Sequence, residues 1–304
     1  GMKNYAMTLS SLNLSESEAR EYASQHLIGD LVKRNIYDAA DNQLFDSNGK
    51  LTAKKLSGYN DLDWFKELER NGHRQEYTIS ATTAGEKYNV YSSVGYLKED
   101  GYIIETGFER FSGRVNSTYN PTKWLKAGIN VAATTQLQNY NSNAYSSYYA
   151  NPFYTARNMA PVYSMYMHNA DGSYALDEKG NKQYDLSSDY LSNRHIIYEL
   201  YNDKEERRRN TLGGQAFATV TLPYGVDVTV KGDLSHMTNN NSEYNNPNIG
   251  DGATNKGRLT NYAYQYRTYN VQQLVNWKHD FDKHHVDLMV GHENYAYLKK
   301  LTYG

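Results

Sequence analysis

Leu212-Gly213-Gly214-Gln215-Ala216-Phe217-Ala218-Thr219-Val220-Thr221-Leu222, then Pro223-Tyr224-Gly225, then Val226-Asp227-Val228-Thr229-Val230-Lys231-Gly232-Asp233-Leu234 is the stretch that decides the fold. Leu212, Gly214, Ala216, Ala218, Val220 and Leu222 recur at every second position, and so do Val226, Val228, Val230 and Leu234. A period of two puts alternate side chains on opposite faces of a strand. A three-residue break holding Pro and Gly leaves room for a tight turn and none for a crossover, so the two runs predict an antiparallel hairpin. The apolar sets then share one face, while Gln215, Asp227, Lys231 and Asp233 share the other.

The same period appears on both sides of this hairpin. Tyr77, Ile79 and Ala81 form one apolar row, and Tyr88, Val90, Val94 and Tyr96 the next. Phe111 to Tyr119 alternates with Arg114 and Asn116, and Leu125 to Ala133 alternates with Asn130. Tyr269, Val271, Val275 and Trp277 follow, with Gln273 interrupting the row, and Val286, Leu288 and Val290 alternate with Asp287. Eight strands result. The connections between them alternate: short near Gly85, long from 98 to 109, short at Asn120-Pro121-Thr122, very long from 136 to 210, short at 223–225, long from 236 to 261, and short at 279–283. Tight turns at one rim and long loops at the other are the property of an up-and-down transmembrane barrel. Tyr119, Trp124, Tyr224, Trp277 and Phe281 stand at or beside the short turns, where an aromatic girdle would meet the bilayer interface; cross-strand aromatic pairing in a soluble sheet accounts for them equally. The polar faces would line a lumen in a barrel and meet water in a soluble sheet.

Composition narrows the classes. The chain has 304 residues, with 32 Lys+Arg against 34 Asp+Glu, so it offers no basic field for nucleic acid. Mean hydropathy is −0.83, yet 31 Tyr, 7 Phe and 3 Trp oppose wholesale disorder. No apolar run is long enough for a membrane-spanning helix. With no Cys, disulfide and thiol chemistry are out. Gly1 ahead of Met2 reads as a cloning remnant, and no export signal follows.

Before the strands, Ser15 and Glu18 form a capping-box pattern that predicts a helix from Glu16 to Lys33. Asp61 is placed to cap a second helix, from Leu62 to about Arg70, with Gly72 to end it. Residues 1–74 are therefore a helical and loop segment, and residues 75–304 the strand region.

Catalytic motifs are lacking. Asn169, Asp171, Gly172 and Glu178 fit part of a calcium loop, but Met167 stands where its first carboxylate belongs, so an Asp-Gly turn with a second turn at Lys179-Gly180-Asn181 is the better reading. His292-Glu293 lacks the second His of a zinc-protease helix, and the adjacent His284-His285 would point to opposite faces of a strand. Arg207-Arg208-Arg209 is balanced by Glu205-Glu206 as a solvated run. No metal or cofactor is expected. The candidate ligand contacts are Tyr148, Tyr149, Phe153, Tyr154, Tyr163 and Tyr166 in the longest loop, where aromatic faces among Asn and Ser suit sugar or peptide. The same residues would serve equally to pack that loop on itself.

Several stretches resemble the SusC/RagA family of TonB-dependent outer-membrane transporters of Bacteroidetes. They are Asp63-Trp64-Phe65 with Arg74-Gln75-Glu76-Tyr77, Tyr91-Ser92-Ser93-Val94-Gly95-Tyr96-Leu97, Phe108 to Asn116, Asn120-Pro121-Thr122-Lys123-Trp124-Leu125-Lys126, Asn151 to Pro161, and Val290-Gly291-His292-Glu293-Asn294-Tyr295. The resemblance runs from about Asp61 to Tyr297. It implies an all-β antiparallel meander cut from a large transmembrane β-barrel of roughly 22 strands around a plug, with long external loops and a short helical N-terminal segment. It further implies uptake of glycan or peptide fragments across the outer membrane, a SusD-like surface lipoprotein as partner, TonB coupling through a part outside this chain, and no catalysis. A soluble, secreted carbohydrate-binding β-protein is the alternative, and a β-rich hydrolase with unseen paired carboxylates a third.

Overall fold

A computed structural model describes residues 13–141, 149–187 and 193–304. Its main feature is one eight-stranded antiparallel sheet in strict sequence order. The strands are β1 (His73–Ala84), β2 (Tyr88–Asp100), β3 (Gly107–Thr122), β4 (Leu125–Asn139), β5 (Lys204–Leu222), β6 (Val226–Asn245), β7 (Arg258–Phe281) and β8 (His284–Tyr303). Each hairpin expected from the alternation is present, and the two faces separate as expected. One rung across the sheet reads Ser92, Val115, Val131, Gly214, Leu234, Tyr269, Ala296; the rung beside it, on the other face, reads Tyr91, Asn116, Asn130, Gln215, Asp233, Asn270, Tyr295. Val228 lies opposite Val220 on one side and Val275 on the other, which continues the apolar face. On the polar face Gln215 donates to Asp233 at 2.6 Å. Gln273, which interrupts the apolar row, is not left alone: its Oε1 meets His292 Nδ1 of the next strand at 2.7 Å.

This sheet has no core of its own. Ile79 and Val290 are each 74% exposed, and among the described residues Leu97 is the only strand residue in the buried hydrophobic set. A soluble sandwich buries its apolar face against a second layer. Here the apolar face is bare, as a lipid-facing surface must be.

The strands are longer than the apolar periodicity predicts. The expected loops of 136–210 and 236–261 shrink to 140–203 and 246–257, because β5, β6 and β7 run on through Lys204–Asn210, His236–Asn245 and Arg258–Thr268. Those extensions are rich in Asn, Tyr and Arg. Only the section of a strand that meets hydrocarbon needs an apolar face; beyond it, backbone pairing alone sustains the ladder with polar side chains on both sides. The short turns are tight. Gly225 sits at φ +78°, and a Cβ there would lie 2.0 Å from the Lys278 carbonyl oxygen, so the Pro223-Tyr224-Gly225 turn admits no other residue at its last position.

The helical expectations need correction. Helix α1 (Glu16–His26) has the reciprocal Ser15–Glu18 capping box, but it passes into a π-helical turn at Leu27–Val32 and stops at Lys33 in the left-handed region. Helix α2 spans only Trp64–Leu68, and its cap is Asp63, not Asp61. Asp61 is buried and occupied elsewhere.

Among the described residues, neither β1 nor β8 has a second strand neighbour. Open edges together with bare apolar surface drive association. The isolated chain is therefore expected to self-associate or to require detergent. Light scattering in detergent-free buffer checks this; a stable monomer would contradict it.

Candidate functional site

The described residues divide into two compact units. One is the sheet with its short turns; the other gathers residues 13–69, the described part of 149–202, and Asn246–Lys256. Along the chain these three segments are the lead-in to β1, the β4–β5 connection and the β6–β7 connection. Among the described residues, nearly all buried hydrophobic side chains lie in this loop unit, including Trp64, Leu44, Leu68, Met165, Ile196, Ile197 and Ile249. Polar loops would not normally hold a fixed form; this unit does because apolar residues from three separate segments supply one core.

Buried polar groups link the segments. Asp61 Oδ2 accepts the Tyr166 backbone N–H at 2.9 Å, and Oδ1 lies 3.0 Å from His168 Nε2. His168 Nδ1 faces the Gly172 carbonyl at 2.8 Å, and the Tyr59 ring stacks on the imidazole at 3.9 Å. Backbones approach so closely here that a Cβ on Gly58 would lie 1.7 Å from the Gly172 oxygen. Trp64 Nε1 donates to the Tyr163 carbonyl at 2.9 Å. Arg34 pairs with Asp185 at 2.9 Å. Asp61→Ala would strand the Tyr166 N–H and one face of His168. It is expected to lower the stability of this unit by roughly 1–3 kcal/mol, a loss readable as faster protease cleavage of the rim.

Helix α3 (Pro152–Asn158) begins at Asn151, whose Oδ1 accepts the Phe153 and Tyr154 N–H groups at 3.0 and 3.3 Å, with Pro152 at the first helical position. Helix α4 (Ile196–Asn202) begins at His195. There the imidazole itself caps the helix: Nδ1 accepts the Tyr198 N–H at 3.1 Å, while Nε2 donates to the Met165 carbonyl at 2.8 Å. Those partners fix the neutral Nε2–H tautomer. Burial depresses the pKa of His195, against the pull of the Met165 carbonyl. Just before it, Arg194 joins two segments. Its guanidinium contacts Glu199 at 2.6 Å and grips both carboxylate oxygens of Asp251 at 2.7 and 3.2 Å. Burial alone would lower the Arg194 pKa, but the Asp251 and Glu199 carboxylates outweigh it and hold the charge. Gly250 stands at φ +76° beside Glu199, where a Cβ would come within 2.5 Å of Oε2.

The depressed pKa of His195 makes a pH prediction. A histidine held neutral in the fold binds protons more readily when unfolded. The stability it protects is whole above the unfolded value of about 6.5 and is lost as the pH falls from there through the folded pKa. The loop unit is expected to lose stability progressively as the pH falls below the unfolded value of about 6.5, with His195→Gln weakening that dependence. Hydrogen exchange on α4 at pH 7.5 and 5.5 checks the result.

The candidate ligand residues are dispersed. Tyr148 lies outside the described residues. Tyr149 is 38% exposed and meets Tyr154 edge-to-face at 5.5 Å. Phe153 and Tyr154 sit on α3, half-buried. Tyr166 packs against Tyr174 and Tyr184 inside the unit, and burial raises the pKa of Tyr184, reinforced by Tyr166. Burial likewise raises the pKa of Tyr163. The turn reading of 167–182 matches the geometry: bridges pair His168 with Tyr174 and Leu176 with Lys182, and Gly172 and Gly180 take positive φ. The Asp171 carboxylate is held low by the Ser173 hydroxyl and N–H, and that of Asp177 by the Asn181 N–H and side-chain amide. Both carboxylates serve these turns. Among the described residues no three His, Asp or Glu side chains gather to hold a metal. Sequence reasoning missed Asp61, His168, Arg194, His195 and Asp251. Each is an ordinary loop residue until 30 to 107 positions of chain are folded back, and only the short spacing of Arg194, His195 and Glu199 carried any local signal.

A bare apolar face, a polar reverse face, tight turns at one rim and a folded loop unit from the other rim's connections define a section of a large transmembrane β-barrel. No family model matches the chain. It is 25% identical over 288 residues to the TonB-dependent receptor P3 of Formosa agariphila, which covers 91% of this chain and 26% of the relative. The RagAB peptide transporter superposes with a TM-score of 0.61 at 18% identity, over 96% of this chain and 32% of the other. The RagAB peptide importer in its open-open state gives 0.61 at 19% identity, over 80% and 26%. The chain thus spans about a quarter of the curated relative and about a third of the first solved chain. In sequence and in fold the chain resembles a barrel section of the SusC/RagA type of TonB-dependent receptor, proteins of the outer membrane.

Proposed function

We propose that this chain is part of a TonB-dependent nutrient transporter that imports glycan or peptide fragments, with a SusD-like lipoprotein at the outer face and TonB engaged through a part outside these residues. The observation that carries this reading is the exposed, largely apolar face over eight strands with no buried partner layer among the described residues, backed by a polar face in alternation. A secreted carbohydrate-binding β-protein would have to bury that face. The reading includes no catalytic step. Rim contact with cargo is assigned to Tyr149, Phe153 and Tyr154, with Tyr148 beside them in sequence, while Tyr163 and Tyr166 contribute chiefly packing.

The test is uptake. In the native host, deletion of the gene for the whole receptor should abolish accumulation of a labelled peptide or oligosaccharide mixture, and so should loss of TonB. Affinity purification from outer membranes should bring down a surface lipoprotein. Uptake that persists without the receptor, or a receptor recovered only from the soluble fraction, would refute the proposal.

A further inference from the structure

On the polar face, beyond the apolar belt, the sheet carries a group of tyrosine and basic side chains. Tyr262, Tyr264 and Tyr266 follow one another along β7, with ring centroids 6.5 and 6.3 Å apart and planes 13° and 9° from parallel. Lys299 of β8 holds its Nζ 5.8 Å from the centre of Tyr264 and 5.7 Å from that of Tyr266. The register sets Asn239 of β6 opposite Tyr264, and Arg209 of β5 opposite Asn239. Arg209 Nε and Asn239 Oδ1 are both buried without a hydrogen-bond partner. A buried donor and acceptor left unmatched side by side are costly unless something else completes them.

Charges of both signs occur here, and most of the cations are engaged. Arg110 is held by Glu76 at 3.4 Å, and Arg207 lies over the Tyr140 ring with its Nε on Asn241. Glu205 and Glu243 face each other one rung further out than Arg207. That leaves Arg209 and Lys299 as the cations flanking the tyrosines, three strand spacings apart, or about 14 Å.

Resting on the transporter reading, we propose that this patch is a binding subsite for an acidic oligosaccharide, a chain of sugar rings bearing carboxylates. Aromatic rings meet the C–H faces of sugars, amides such as Asn239 bond hydroxyls, and Arg209 and Lys299 bind carboxylates. A peptide is the weaker fit. The patch lies on a sheet face, where the backbone N–H and C=O groups are already used by the ladder, whereas extended peptides take their affinity from an open strand edge.

The test uses the intact receptor purified in detergent and titrated calorimetrically with oligogalacturonate. A neutral oligosaccharide of equal length and an Asp/Glu peptide of equal charge serve as comparisons. Oligogalacturonate is expected to bind best, and the double variant Arg209→Gln/Lys299→Gln to weaken it by about tenfold or more. Arg209→Lys should recover part of the loss. Tyr264→Ala should weaken the charged and the neutral sugar alike. Unchanged trypsin resistance and heat-modifiable gel mobility show that each variant still folds. No binding of oligogalacturonate, equal binding by the double variant, or a preference for the acidic peptide would overturn the assignment. TonB-dependent uptake is measured in parallel. If it persists while the double variant binds like the parent, only the subsite is wrong; if the patch binds oligogalacturonate but receptor deletion leaves uptake intact, only the transport reading is wrong.

Discussion

Arg194→Ala is expected to release the loop unit from its folded form. Arg194 is nearly buried, and it is the common partner of Glu199, which is almost fully buried, and of Asp251 in another segment. Removing the guanidinium takes the counter-charge from the buried Glu199 carboxylate, and it removes one of the ties of the 246–256 segment to α4, where Asn248 still donates to the Tyr198 hydroxyl at 2.6 Å. Breaking a buried ion pair from one side costs about 3–5 kcal/mol. That approaches the whole stability of a small unit, so the effect should appear as wholesale opening. Limited proteolysis of the receptor in intact cells would read it as rapid cleavage within 149–202, with the strand region still resistant. Arg194→Lys should be intermediate, since it restores the charge without the two-pronged grip on Asp251. A variant as resistant as the parent would show that the apolar core alone holds the unit.

The second large effect concerns the sheet. Val228→Arg places a charge on the apolar face between Val220 and Val275. In a lipid-facing strand near the bilayer midplane such a charge costs about 2–4 kcal/mol and should reduce the assembled receptor in outer membranes. Thr229→Arg, one residue on and facing the other way beside a Thr–Thr contact at 2.9 Å, should cost far less. Equal losses from the two substitutions would refute the assignment of faces. A spin label at residue 228 of the intact receptor should report lipid, and one at 229 water.

Much of this architecture was legible from local pattern because strand alternation is a local property. Leu212 to Leu234 states its own hairpin: each side chain's face follows from its position, and Pro223-Tyr224-Gly225 sets the register. The polar ends of β5, β6 and β7 were not legible. Their alternation is between two kinds of polar residue, so hydropathy carries no period, and the backbone ladder that extends them leaves no mark on side-chain type. Helix α1 was announced by its capping box, whereas its π-helical end had no such sign.

The candidate site divides in the same way. That the 140–203 connection is rich in tyrosine was plain from the residues alone. Which of those tyrosines face solvent was not, because Tyr166 is committed to packing by Tyr184 and Asp61, partners 18 and 105 positions away. Asp61 illustrates the limit. From sequence it reads as the cap of a short helix; the return of His168 and the Tyr166 N–H to its carboxylate commits it to the core, and Asp63 caps the helix instead. By itself the sequence determined the short hairpins, the two faces and the alternation of short and long connections, since each follows from local pattern along the chain. Only the tertiary structure decided that three distant connections share one core and that Arg209, Asn239 and Tyr264 stand in one rung. Such contacts depend on closing loops of tens of residues, and which groups meet there is set by burial and charge pairing across the fold.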